Sequence, residues 1–379
     1  MTQEPLLLMT PGPTRVPERV LRAGARPIIH HRTPEFSAQL AEMLELLRPV
    51  FGTAGAVLPV HTTGRGAMEA AICNLFSPGD QVAMCSNGKF SEMWATFAES
   101  YGLVVHRIAR DWARSVAPFE VEQILGRNPN IRGVAVAYSE TSTGVANDIE
   151  AVCRAVHAHN ALVLVDGVSA LGGMPFAFDA WGVDFAVTAS QKCLMSGPGM
   201  AFVTLSERAW AATRRARLPR NYWDFEEIRR EVTRPKPETP GTPPIQIVLQ
   251  VAEALRMIHE EGLDNVYRRH TQMAERTRAA VSALGLSLQC PSLRRFSATV
   301  TAVSVGPPTL GVGATAGAAD NGAAVRRVRD GMKARGILVA AGLGPYASTG
   351  FRIGPMGDIR LEDVERTLAA LEDVIADSP

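Results

Sequence analysis

Two ionisable residues stand where buried strands should end. The run ALVLVDGV closes on Asp166, and FAVTASQK reaches Lys192 among small residues and glycines (TASQKCLMSGPG, 188–199). Asp and Lys are rare in an interior unless paired or functional. A lysine in a buried, electropositive setting gives up its proton more easily and becomes a nucleophile toward aldehydes. An aspartate facing a pyridine nitrogen keeps that nitrogen protonated, so the ring can accept electrons. An amine and an acid on neighbouring strand ends, opposed across a flat ring, are what pyridoxal phosphate (PLP) chemistry needs. A plain Asp–Lys ion pair stitching the sheet fits the same local pattern.

Other strand ends carry groups of matching use. HTTGRGAMEAA, from His61, follows an apolar run and opens a helix with Met68, Ile72 and Leu75 inward, which exposes backbone N–H groups to a phosphate. It is neither a Walker loop nor a full dinucleotide fingerprint, and an ordinary helix start reads the same way. SNGKF delivers Phe90, either a ring-stacking aromatic or a core residue. SETSTG, from Ser139, supplies hydroxyls that suit ring substituents or an ordinary turn. Arg352 lies on a short apolar strand beside a glycine-rich turn, and its fork of donors matches a carboxylate; an exposed strand arginine is the alternative. Several strand ends converging on one cofactor weigh more than any of them alone.

The elements that must position these residues follow from periodicity. Residues 37–51 place Leu40, Met43, Leu44 and Leu47 on one helical face. Apolar runs at 56–60, 81–85, 104–108, 133–138, 161–166, 185–188 and 200–205 read as strands, with helices near 66–76, 90–101, 118–127 and 148–159. Strands apolar throughout and separated by helices predict an α/β fold, a mainly parallel sheet with helices on both faces. The last two runs leave no room for a crossover helix and predict antiparallel pairing. In such sheets ligands bind at the carboxyl ends of the strands. At 217–245 the pattern stops; Pro235, Pro237, Pro240, Pro243 and Pro244 exclude regular structure, and the stretch reads as a surface linker between domains. Helices at 245–261 and 263–284, a strand near 298–305, a mobile small-residue loop at 306–324, and helix 323–335 come next. Strands 337–341 and 350–353 and helix 361–376 complete a smaller α+β C-terminal domain. The expected division is an N-terminal arm at 1–22, a large domain at 23–245 and a small domain at 246–379.

Composition narrows the function classes. The net charge of +1 gives no steering toward nucleic acid or an anionic membrane, and the arginine clusters at 214–220 and 326–329 read as solvated helix faces. No apolar run reaches the ~20 residues of a membrane span, and MTQEPLLLMTPGPT does not resemble a signal peptide. Five scattered cysteines with no CxxC fit reduced thiols in the cytoplasm rather than a disulfide framework or metal site.

Taken together the residues resemble a class V (fold type I) PLP-dependent aminotransferase of the alanine–glyoxylate and serine–glyoxylate group. The resemblance runs from TPGPTRVPERVL (10–21) and HHRTPEF (30–36) through GRGAMEAA, SNGKF, ETSTG, LVDGVSALGG, SQK and TPGTPPI (239–245) to GLGPYASTGFRIGPMG (342–357). It implies that Lys192 holds PLP as a Schiff base and that Asp166 pairs with the pyridinium nitrogen. Phe90 then stacks on the ring and Thr141 bonds its hydroxyl side. Thr63, Gly64, Arg65 and Gln191 lie at the phosphate, with Thr242 reaching it from the partner of a homodimer with shared active sites. Arg352 grips the substrate carboxylate, and the backbone near Gly12 closes over it. The implied activity is ping-pong transfer between a small amino acid and a small 2-oxo acid such as glyoxylate or pyruvate. Two positions depart from the family. Arg65 stands where relatives often carry His or Thr, and serves either the phosphate or a second substrate anion. Thr239 stands where some carry a phosphate-binding tyrosine. Pyridoxamine–pyruvate and aminoethylphosphonate transamination, a PLP lyase or desulfurase, and a non-catalytic α/β binding protein are the rival readings.

Overall fold

The computed structural model describes residues 5–109, 111–305 and 318–377, and two sheets organise it. The larger has seven strands, in the order Val57–Val60, Ala201–Leu205, Phe185–Ala189, Leu162–Asp166, Ile131–Ala137, Gln81–Ser86, Val104–Ala109. Six run parallel, and Ala201–Leu205 runs against both its neighbours. The central strands are buried on both faces because crossover helices cover them. Gly64–Leu75 packs with Lys89–Ser100, and Pro118–Arg127 with Ile149–His157.

The five-stranded second sheet belongs to the smaller unit, in the order Leu7–Met9, Ile337–Ala341, Gly350–Ile353, Thr301–Ser304, Ser287–Leu288. Helices Leu263–Ala283, Ala318–Ala334 and Leu361–Ala376 share its apolar core with Val303, Phe351 and Ile353. The N-terminal arm is therefore a structural strand, pairing in parallel with Ile337–Ala341.

Two expectations change. The 217–245 stretch is not a linker throughout. It contains the helix Phe225–Val232, whose Phe225, Ile228 and Val232 are buried in the large core. Asp224 caps that helix by accepting from Glu226 N–H, and fully buried Asn74 accepts from Phe225 N–H at 3.0 Å. Nor does the prolyl stretch lead out of the large unit. The next helix, Ile245–Glu261, packs on Glu18–Gly24 and Pro34–Phe51, and buries Val248, Leu255 and Ile258 in the large core. Val266 of the following helix joins the same core. In the expected mobile loop, 306–317 lie outside the described residues, and the chain is helical from Ala318 onward. No helix among the described residues is long and apolar enough to cross a membrane.

Candidate active site

The parallel strands end together at Val60, Ser86, Ala137, Asp166 and Ala189, which brings their loops to one edge. Asp166 closes a central strand and is buried; Val168 N–H donates to its Oδ1 at 2.9 Å. Burial pushes its carboxyl up to about 7, with Glu140 adding to the rise and Val168 N–H and Lys192 opposing it. Lys192 sits in the turn after Phe185–Ala189. Its Nζ donates to Pro11 O, so the N-terminal arm crosses directly over the amine. Burial, reinforced by Arg352, lowers the amine to about 8.

Two glycines let the arm through. A Cβ on Gly12, whose φ is +98°, would stand 2.5 Å from Lys192 Cδ, and one on Gly354 would stand 2.4 Å from Pro11 N. Thr14 then ties the arm down, its N–H donating to Gln191 O at 3.1 Å and its hydroxyl to Met356 O at 2.8 Å.

At one end of this edge Thr63 precedes the helix Gly64–Leu75. The first helical hydrogen bond is Ala67 N–H to Thr63 O, so the preceding N–H groups have no partner within the helix. Gly64 has no space for a side chain, since a Cβ would lie 2.5 Å from Val168 Cγ2. Gln191 Oε1 and His61 Nε2 are buried with no hydrogen-bond partner among the described residues, and burial holds the His61 imidazole at about 4, neutral at ordinary pH. Arg65 is exposed, its guanidinium carbon 5.6 Å from the Phe97 ring centroid. Thr242 is exposed and hydrogen-bonds to none of these residues; nearby Thr239 is buried, its carbonyl accepting from Arg32. Among the described residues, no hydrogen bond ties Thr242 to the edge that carries Asp166 and Lys192.

At the other end, Phe90 lies in the first turn of Lys89–Ser100, and Thr141 in the turn after Ser139–Glu140. Thr141 Oγ1 shares a 2.7 Å hydrogen bond with Ser169 Oγ. Arg352 is buried and donates to Ala341 O at 2.9 Å and to Thr141 O at 3.1 Å; no carboxylate among the described residues lies within 4.0 Å of it. Burial lowers its guanidinium to about 10, against a raising influence of Glu140. Glu140, Ser169 and the Pro11 carbonyl were not anticipated as site groups. Glu140 lies three residues past the strand Ile131–Ala137, in a hydroxyl-rich stretch that reads as a turn, so its sequence shows little sign of a role.

A cleft of about 910 Å³ opens on the opposite edge, rimmed by Arg132, Arg208, Arg215 and Arg217. It lies at strand amino ends, where helix carboxyl termini gather and attract cations; Arg208 donates to Ala161 O there. The convergent acid, amine and guanidinium are all on the other edge.

Residues 7–306 match the family model described as aminotransferase class-V. The chain belongs to that family. It is 37% identical to L-aspartate–glyoxylate aminotransferase of Paracoccus denitrificans, over 99% of this chain and 92% of that one. It is 34% identical to serine–glyoxylate aminotransferase of Methylorubrum extorquens, over 98% and 91%. A crystal structure of alanine–glyoxylate aminotransferase from Nostoc sp. superposes with a TM-score of 0.89 at 33% identity, covering 99% and 96% of the two chains. The class V resemblance and the fold type I architecture both hold, and the protein is a PLP-dependent aminotransferase. The residues fit that cofactor. The Asp166 acid closes and the Lys192 amine follows neighbouring strands of one sheet edge, where the helix Gly64–Leu75 also begins with free N–H groups.

Proposed function

We propose that the protein moves an amino group from a small amino acid of the alanine or serine type to a small 2-oxo acid of the glyoxylate or pyruvate type, in two half-reactions. The observation that carries this is Arg352, a buried guanidinium close to the Lys192 amine with no carboxylate within 4.0 Å among the described residues. A buried cation lacking a counter-ion is costly, and a substrate α-carboxylate supplies one. When bound, PLP supplies the aldehyde that accepts the amino group and a ring that spreads the charge left at the substrate carbon.

The chain's own residues do the rest. Lys192 anchors the cofactor, and its freed Nζ then takes the substrate's α-proton. Asp166 holds the pyridine nitrogen protonated, Phe90 covers the ring, and Thr141 meets its hydroxyl. Thr63, Gly64, Arg65 and Gln191 hold the phosphate. Arg352 fixes the carboxylate, and Gly12 in the arm closes off water. Exposed Thr242 serves the site of a second copy, making the protein a homodimer with shared active sites. Exposed Arg65 favours a second reading, a substrate with an added anion such as an aminophosphonate. A desulfurase finds no support, because all five cysteines are buried and burial pushes the Cys193 thiol up to about 12. Buried free thiols also suit the cytoplasm, where we place the protein.

The test is a spectral one. The PLP-loaded protein is mixed with a panel of amino acids and bleaching of its visible band is followed. A panel of 2-oxo acids is then used to restore it. Alanine or serine should bleach the band, and glyoxylate or pyruvate should regenerate it. Bleaching by aminophosphonates alone would favour the second reading, and no response to any amino acid would refute both.

A further inference from the structure

The geometry points to Glu140 as a positioning residue that locks together the two sides of the cofactor site. The inference rests on the reading above, in which Phe90 and Thr141 flank the ring. Glu140 is fully buried. Its Oε2 accepts from Ser91 N–H at 2.9 Å, and its Oε1 from Phe90 N–H at 3.4 Å, Ser142 N–H at 3.0 Å and Ser142 Oγ at 2.6 Å. Four donors around an acceptor-only group fit a carboxylate and leave nothing for an amide to donate to.

Two of those donors are free N–H groups in the first turn of Lys89–Ser100, and Ser142 Oγ takes a third, Lys89 N–H, at 3.0 Å. That helix has no side-chain cap of its own. The turn 140–142, arriving from another strand, caps it, with a negative charge where the helix end is positive. Gly88 makes the approach possible. Its φ of 173° is extended backbone open to any residue, but a Cβ there would lie 2.2 Å from Glu140 Cδ. The glycine is required for space.

The same turn carries Thr141, whose carbonyl receives Arg352 Nη1. One carboxylate thus fixes the aromatic residue, the hydroxyl residue and, through the Thr141 carbonyl, the guanidinium. Loss of it should tilt the ring and loosen the substrate clamp together.

The test compares wild type, Glu140→Gln and Gly88→Ala as PLP-loaded enzymes. The second variant keeps the carboxylate but displaces it. Three quantities are read: the visible circular-dichroism band of the bound cofactor, the rate of cofactor release on dilution, and the amino acid concentration that half-saturates the first half-reaction. Both variants should change the band, release cofactor about tenfold faster and raise the half-saturation by about tenfold, the scale of one lost charge-assisted hydrogen bond. Apo-protein melting is followed in parallel, because a purely structural role would lower it while leaving band and release unchanged. That result in either folded variant overturns the proposal. Should Glu140→Gln not fold, Gly88→Ala decides by the same readouts. A wild-type protein with no visible cofactor band refutes the underlying reading instead.

Discussion

Lys192 should capture its cofactor at a pH where an ordinary lysine is inert. Only the neutral amine attacks an aldehyde. Lowering the amine from 10.5 to about 8 raises the neutral fraction at pH 7 from about 0.03% to about 9%, roughly 300-fold. Burial is the main cause, and Arg352 adds to it. The assay mixes apo-protein with PLP by stopped flow between pH 6 and 10 and follows the visible band. N-acetyl-lysine amide, run in parallel, removes the cofactor's own titrations. The protein's rate, divided by that of the model amine, should be largest near neutrality and fall steadily above pH 8. The absolute rate should level off near pH 8 once the peptide control is accounted for. Arg352→Gln removes one depressing charge, so the levelling should move to higher pH. A protein rate that keeps pace with the model amine up to pH 10 would refute the idea that enclosure activates Lys192.

Two other perturbations test the remaining groups. Asp166 has its carboxyl raised from 3.8 to about 7, so between these values the folded apo-protein holds a proton that the unfolded chain has lost. The resulting stability is complete below 3.8 and lost as pH rises through 7, on the order of 4 kcal/mol in all. Apo Asp166→Asn should lack this contribution to the pH profile and melt higher than wild type at pH 8, while binding PLP more weakly; equal pH profiles would contradict the assignment. Arg352→Lys replaces a planar fork with a point charge and should cost roughly 2 kcal/mol, about 30-fold in amino acid KM, with little change in cofactor binding. An unchanged KM would place the substrate carboxylate elsewhere.

Much of this site could be read from the sequence because its groups interrupt apolar strands. Asp166, Lys192 and the hydroxyls after residue 138 are conspicuous where a buried run should continue or stop. Strand and helix positions followed from the same contrast. What escaped depended on contacts between distant segments. The helix Phe225–Val232 shows only a narrow apolar stripe, Phe225, Ile228 and Val232, among charges and beside prolines. Its start is tied to Asn74, 151 residues earlier in the chain. The periodicity of Ile245–Glu261 shows that it buries one face but not in which core. Glu140 looks like part of a solvated turn until the free N–H groups of another strand's helix close around it. Pro11 O meets Lys192 Nζ across 181 residues, a contact no local pattern encodes.

The central claim is that Lys192 is the covalent anchor of PLP. Borohydride treatment of the PLP-loaded protein, followed by proteolysis and mass spectrometry, tests it directly. The account predicts one pyridoxyl-modified site per chain, on Lys192, and its loss in Lys192→Ala together with the visible band and turnover. Modification at another lysine, or a Lys192→Ala protein that still transaminates at the wild-type rate, would contradict it.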